Sequence, residues 1–384
     1  MTDRTPILHT ARGAALLLNP SCDRAMIYGP AQQAILSLNA LETARRTIAA
    51  WEGYKPTPLR NVTSMTTAAV GELLYKDEGL RFALKSFKAL GGAYAVQTVA
   101  AAHPDPAQLT FACATDGNHG RAVAWGAARA GAKAVIYLHE TVSAARENAI
   151  AALGADIRRT PGSYDDAVRQ AAADAEANGW TIISDTSWPG YADIPKLVMQ
   201  GYALAMRETW YAAARPTHVV AQGGVGGFAA AILSWLWEYL GANRPVFIVV
   251  EPENAACLFA SARNGALTPL TGDISTIMAG LECGEPSPLA WEILQPGADA
   301  FMTIPDLLAA DTMRSLAGLG IVGGESGVAG LAGVLAALDD PAAREALGLT
   351  SASRILTFGT EGATDPEVYR AIVGRSADEV AASR

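Results

Sequence analysis

The sequence predicts an α/β protein of two domains, each organised around a parallel sheet. Two observations carry this. From about residue 84, short apolar runs alternate with longer stretches of helical periodicity, the spacing of βαβ units. The alternation pauses for one long helical stretch and restarts near residue 217.

In the first series, 109–115 reads as a buried strand and His119–Gly131 as the helix after it. Lys133–Leu138 is the next strand, followed by a helix from about Ser143 to Leu153. Ala155–Arg159 and Tyr164–Ala177 repeat the pair, and Trp180–Ser184 closes the series. Pro195–Ala213 is predicted as one long helix, ended by Pro216. The second series begins with a strand at Thr217–Gln222, a glycine loop at Gly223–Gly227 and a helix at Phe228–Leu240. Pro245–Val250 and Arg354–Phe358 are further strands. The first 40 residues and 264–300 show no clear period, and no internal repeat or low-complexity linker is evident.

Composition excludes several function classes. The chain has 384 residues, half of them apolar and 17% charged, which is ample for a large core and unlike a disordered chain. Its 29 basic and 38 acidic residues give 29 − 38 = −9, the wrong sign for a phosphate-binding face, so nucleic acid is not an expected partner. The start has an apolar core of only six residues, Gly13–Leu18, too short for a secretory signal. The most apolar stretch, Phe228–Leu240, is interrupted by Ser234 and Glu238 and falls short of a membrane span of about 20 residues. A soluble cytoplasmic protein is expected. Four cysteines without CxxC spacing and five scattered histidines suggest neither a disulfide scaffold nor a metal site.

Five segments sit where strand ends and helix starts place chemistry. Lys88 opens a helix in Lys85–Ala95, where the positive end of the macrodipole disfavours an ammonium and favours a Schiff-base amine. A solvated helical lysine would give the same letter. Asp116-Gly-Asn118-His119-Gly120 follows a strand directly, as either a functional turn or ordinary turn and cap chemistry. Gly223, Gly224, Val225, Gly226 and Gly227 join a strand to a helix and can turn backbone N–H groups around an anion. They can equally form a packing turn. The spacing is neither a dinucleotide fingerprint nor a Walker loop, although Glu251 ends the following strand, so a mononucleotide-sized phosphate fits best. Asp185, with Trp188 and Tyr191 near it, and Thr360-Glu361-Gly362 end two further strands, in segments that also read as capped turns.

The order of these segments resembles the fold-type II pyridoxal-phosphate enzymes, the tryptophan synthase β family. Within it, the sequence is most similar to the diaminopropionate ammonia-lyase family. The resemblance runs over roughly residues 55–370 and rests on the Lys88 segment, the Thr115-to-Gly120 turn, Asp185-Thr-x-Trp188-x-Gly190-Tyr191, Met199-Gln-Gly-Tyr202 and Thr360-Glu361-Gly362. It implies two three-layer domains: 1–95 plus 210–384 as the larger, cofactor-binding part and 96–209 as the smaller, with the active site in the cleft between them. It also implies a homodimer, pyridoxal 5'-phosphate as cofactor and an amino acid as substrate.

By this resemblance Lys88 would be the Schiff-base lysine, Asn118 would bind the cofactor's phenolic oxygen, and Gly223–Gly227 would hold its phosphate. Thr360, or Gly359 if the alignment shifts by one, would meet the pyridine nitrogen. The implied reaction removes the Cα proton of 2,3-diaminopropionate and expels the β-amine. The released aminoacrylate hydrolyses to pyruvate and a second ammonia. Asp116 would act as base for the D-isomer and Asp185 for the L-isomer. Dehydratases of this fold usually carry a small or hydroxylic residue at the position of Asp116, and a second ammonium on the substrate calls for a carboxylate. Ser86 and Ala363 depart from the family pattern. Cys257 and Cys283 match a cysteine pair of the family, as a disulfide or as free thiols. A serine/threonine dehydratase, another β-eliminating lyase and an inactive cofactor-binding paralogue are the competing readings; a nucleotide-binding oxidoreductase lacks its fingerprint.

Overall fold

The computed structural model describes residues 6–162, 164–212 and 215–383. Twelve strands among them form two sheets: β1 Ile7–His9, β2 Ala15–Leu18, β3 Leu59–Asn61, β4 Glu72–Asp77, β5 Thr110–Ala114, β6 Lys133–His139, β7 Asp156–Thr160, β8 Thr181–Ile182, β9 His218–Gln222, β10 Val246–Pro252, β11 Ala300–Ile304 and β12 Arg354–Gly359. The larger sheet has the order β1-β2-β11-β10-β9-β12-β4-β3 and the smaller β7-β6-β5-β8.

The smaller sheet is parallel throughout. The larger one is mixed: β11, β10, β9, β12 and β4 run parallel, while β2 pairs β11, β1 pairs β2 and β3 pairs β4 antiparallel. The parallel strands at the centre of each sheet match the expected parallel-sheet organisation, to which the larger sheet adds antiparallel edges. The added edge strands are three or four residues long, too short to show a period of two.

Both faces of the larger sheet are covered, as parallel strands require. Val219, Ala221, Phe247, Val249 and Phe301 face one core, and Val220, Ile248, Val250, Ala300 and Met302 face the other. The helix Gly227–Leu240 is apolar all round because it lies inside: every residue from Gly227 to Trp237 is buried. The helix Ala329–Leu338 is buried along its whole length on the opposite face. In the smaller sheet, Phe111, Cys113 and Ile136 turn toward the main core, while Ala112, Val135 and Tyr137 pack with Ala167 and Ala171 of the helix Tyr164–Asn178.

The predicted long helix is two, Asp193–Tyr202 and Leu204–Trp210, joined at Ala203, whose backbone is itself helical. The last predicted residue, Ala213, lies outside the described residues. Close approach has a visible cause: a Cβ at Gly201 would fall 1.9 Å from Leu90 O. The helix Lys88–Ala101, which contains the boundary drawn at residue 95, is therefore gripped by its neighbour and its first residue is fixed in place.

Candidate active site

The carboxyl ends of β5, β8, β9 and β12 converge on one cavity of about 900 Å³. Its walls include Lys88, Asp116, Asn118, Asp185, Gly224 to Gly227 and Thr360. Ligands in open α/β sheets are expected at such strand ends.

Lys88 is the first residue of its helix and follows a strained approach: Phe82, Ala83 and Lys85 all have positive φ (50°, 60° and 59°), unusual outside glycine. The Lys88 Nζ donates to Asp185 Oδ2 and lies 5.2 Å from the centroid of the Phe87 ring and 5.7 Å from that of Tyr202. Burial would push this ammonium down, but the Asp185 carboxylate outweighs it and the net shift is upward. The helix dipole does not decide the charge of Lys88, and the expectation of a depressed amine is corrected here. Asp185 is raised by burial but pulled down further by Lys88 and His119, ending well below the usual carboxylate range.

His119 is buried, donates from Nε2 to Ile183 O at 2.8 Å and sets Nδ1 3.9 Å from Asp185 Oδ2. Burial holds it below the ordinary histidine value. Asn118 opens the helix Asn118–Ala130, after Gly117 with φ 148°, and its Nδ2 donates to Glu361 Oε2. Asp116 accepts from His139 Nε2 at 2.8 Å. The two acids thus stand at the ends of neighbouring strands with different partners.

In the glycine loop, the N–H groups of Gly224 and Gly226 have no acceptor among the described residues, and the N–H of Val225 is directed at the sulfur of Cys283. With the N-terminus of the 14-residue helix Gly227–Leu240 behind them, these groups suit an anion the size of a phosphate. The N–H of Gly223 already donates to Val250 O at 2.9 Å, and a Cβ there would fall 2.6 Å from Leu258. Thr360 Oγ1 accepts from Gln222 Nε2 at 2.7 Å. Cys257 and Cys283 are both free thiols.

Sequence reading gave no role to four residues of this site. Glu361 is buried and accepts from Asn118, from Ser326 N at 3.0 Å and from Thr364 Oγ1 at 3.3 Å. Gln222 reaches Phe358 O and Gly327 O as well as Thr360. Arg146 donates to Asp116 O at 3.1 Å and to Glu325 Oε1 at 2.9 Å. His139 is the last residue of β6. Gln222 and His139 end strands, which was the signal available for them.

Residues 50–357 match the family profile of the pyridoxal-phosphate-dependent enzymes. The chain is 40% identical over 358 residues to the diaminopropionate ammonia-lyase of Escherichia coli, covering 86% of this chain and 90% of the relative. It is 39% identical over 365 residues to that of Salmonella typhimurium, covering 84% and 90%. The chain belongs to the pyridoxal-phosphate-dependent enzymes, in the diaminopropionate ammonia-lyase family. A crystal structure of the Escherichia coli enzyme with an aminoacrylate-PLP azomethine reaction intermediate superposes with a TM-score of 0.86 at 36% identity, over 95% of this chain and 98% of that one. The family's cofactor agrees with a cavity that holds Lys88 and the N–H groups of Gly224 and Gly226 without acceptors among the described residues. No helix among the described residues is long and apolar enough to cross a membrane.

Proposed function

We propose that the protein catalyses the pyridoxal-phosphate-dependent α,β-elimination of 2,3-diaminopropionate to pyruvate and two molecules of ammonia. The observation that carries this reading is the pair of carboxylates, Asp116 beyond β5 and Asp185 beyond β8, in one cavity with Lys88. A substrate with a second ammonium is matched by this acidic lining.

In this reading Lys88 binds the cofactor covalently, and Gly224 to Gly227 hold its phosphate. Gly223 supports that loop through its bond to β10. Asn118 supplies an amide to the phenolic oxygen and is steered by Glu361. Gln222 occupies a lone pair of Thr360 Oγ1, so the hydroxyl proton is free to be given to an unprotonated ring nitrogen. Gly359 instead faces Tyr75, where a Cβ would fall 2.0 Å from the ring, which favours Thr360 as the partner. The cofactor supplies the electron sink for Cα.

Asp185 shares a proton-bearing contact with Lys88 and can remove a Cα proton on the lysine side, with Lys88 able to carry protons once it is released from the cofactor. Asp116, held by His139, can do the same from the neighbouring strand end. A division into 1–95 plus 210–384 and 96–209 and a homodimer belong to the same proposal and rest on the resemblance to the family; a cytoplasmic location is proposed with them. Asp116→Asn should lose activity selectively on D-2,3-diaminopropionate and Asp185→Asn on the L-isomer. Equal losses on both enantiomers would refute the two-base reading.

A further inference from the structure

His139 closes β6 beside the turn that carries Asp116, and its two ring nitrogens are both engaged. Nε2 lies 2.8 Å from Asp116 Oδ1, and Nδ1 lies 2.9 Å from the hydroxyl of Thr141. A hydroxyl can donate or accept, so Thr141 satisfies Nδ1 whichever tautomer the ring adopts. Nε2 is thereby free either to give a proton to Asp116 or to take one from it. Asp185 is instead paired with Lys88 itself, and His119 Nδ1 stands 3.9 Å from its carboxylate, beyond hydrogen-bond reach.

We infer that His139 is a positioning residue and proton partner for Asp116, and so serves the reaction of one substrate enantiomer only. The inference rests on the two-base reading above. Asp116 takes the Cα proton, and the C–H electron pair becomes the Cα–Cβ double bond. The β-ammonium departs as ammonia with the Cβ–N pair. The proton then passes from Asp116 Oδ1 to Nε2 of neutral His139, which regenerates the carboxylate, and the imidazolium releases it to water. The ring is only 14% exposed, enough for that last exchange.

The groups facing His139 fix the sign of the pH dependence. Its hydrogen bond to Asp116 raises it most; burial opposes this, Glu282 adds to the rise and Arg146 subtracts. Tyr164 presents its ring at 6.4 Å, edge to face. The net position is above the ordinary histidine value. Protonated His139 has no lone pair to receive a proton, so turnover through Asp116 should rise as pH passes upward through that value. The two enantiomers share the same ionisations in solution, so their rate ratio isolates this effect from titration of the substrate.

The test measures kcat and KM for D- and L-2,3-diaminopropionate against pH in the wild-type holoenzyme, His139→Gln, Thr141→Val and Asp116→Asn. His139→Gln keeps a donor near Asp116 but cannot titrate. The D-isomer kcat should fall on the order of tenfold to a hundredfold with KM little moved, and the acid limb of the D/L ratio should disappear. Thr141→Val should produce a smaller loss of the same selectivity. Independently of turnover, NMR titration of the His139 imidazole should move down in Asp116→Asn, because its main raising contact is gone. Equal losses on both enantiomers in His139→Gln, or a surviving acid limb, would overturn the inference. An unmoved imidazole titration in an Asp116→Asn variant that is still enantiomer-selective would overturn it alone. A non-selective Asp116→Asn would overturn the two-base reading and this inference with it.

Discussion

The ammonium of Lys88 and the carboxylate of Asp185 form an ion pair between the first residue of one helix and the turn beyond β8. Each group is only about a fifth exposed, and each holds the other charged against the cost of partial desolvation. The pair links the residue proposed to carry the cofactor with one of the two acids proposed to move the Cα proton.

Removing the carboxylate should therefore change the lysine. In Asp185→Asn, burial acts on Lys88 with its main opponent gone, and the amine should titrate at lower pH than in the wild type. Each unit of that drop raises the free-amine fraction about tenfold at neutral pH. Acylation of Lys88 in the cofactor-free protein, followed by mass spectrometry across pH, measures this. An unchanged profile would mean that Asp185 does not govern the charge of Lys88.

The glycine loop offers a separable test. Gly226 has φ +98°, and a Cβ there would sit 3.1 Å from Leu294 and 3.2 Å from Ala290. Gly226→Ala should cost about 1–2 kcal/mol from backbone strain. If the loop seats the phosphate, pyridoxal phosphate affinity should fall as well, by equilibrium dialysis. Lower stability with unchanged affinity would place the phosphate elsewhere.

Glu325 predicts a pH effect on stability. It is buried beside Glu361, and its pKa is pushed from its ordinary 4.5 up to about 8, first by desolvation and then by that neighbouring carboxylate. A raised acid stabilises fully below 4.5 and loses that contribution as pH climbs toward 8. Where only the unfolded state ionises, the loss is on the order of 1.4 kcal/mol per pH unit. Glu325→Gln should flatten this slope, so that denaturant midpoints of variant and wild type diverge between pH 5 and pH 8. Parallel curves would show that Glu325 ionises normally.

A buried charge network supports the strained approach to Lys88. Glu208 accepts from Lys76 Nζ at 2.8 Å and from Arg81 at 2.9 and 2.8 Å, and Arg81 also pairs with Glu78. Glu208→Ala would leave two buried cations with one anion and should cost about 3–5 kcal/mol in urea unfolding. A loss below about 1 kcal/mol would show that the network relaxes around the gap.

Much of this architecture was legible because parallel strands buried on both faces read as apolar runs. Thr110–Ala114, Lys133–His139 and His218–Gln222 all announce themselves that way. The short antiparallel edges did not, and Ala300–Ile304, which begins where the stretch without clear period ends, was not predicted although every residue of it is buried. At the site, the chemistry-bearing letters were visible at strand ends, and so was their order. Their partners were not. Nothing in the spacing says that Asn118 meets Glu361 across 243 positions, or that Lys88 meets Asp185 across 97, because such contacts are made by the packing of the two sheets.

The most direct test of the proposed reaction is product stoichiometry with the purified protein supplied with pyridoxal phosphate. Pyruvate and ammonia are counted after addition of D- or L-2,3-diaminopropionate, with serine and threonine as comparison substrates. The expected result is two ammonia per pyruvate from diaminopropionate, at a kcat/KM well above that for either hydroxy amino acid. Preferred turnover of serine or threonine, or no pyruvate from either diaminopropionate isomer, would contradict the assignment.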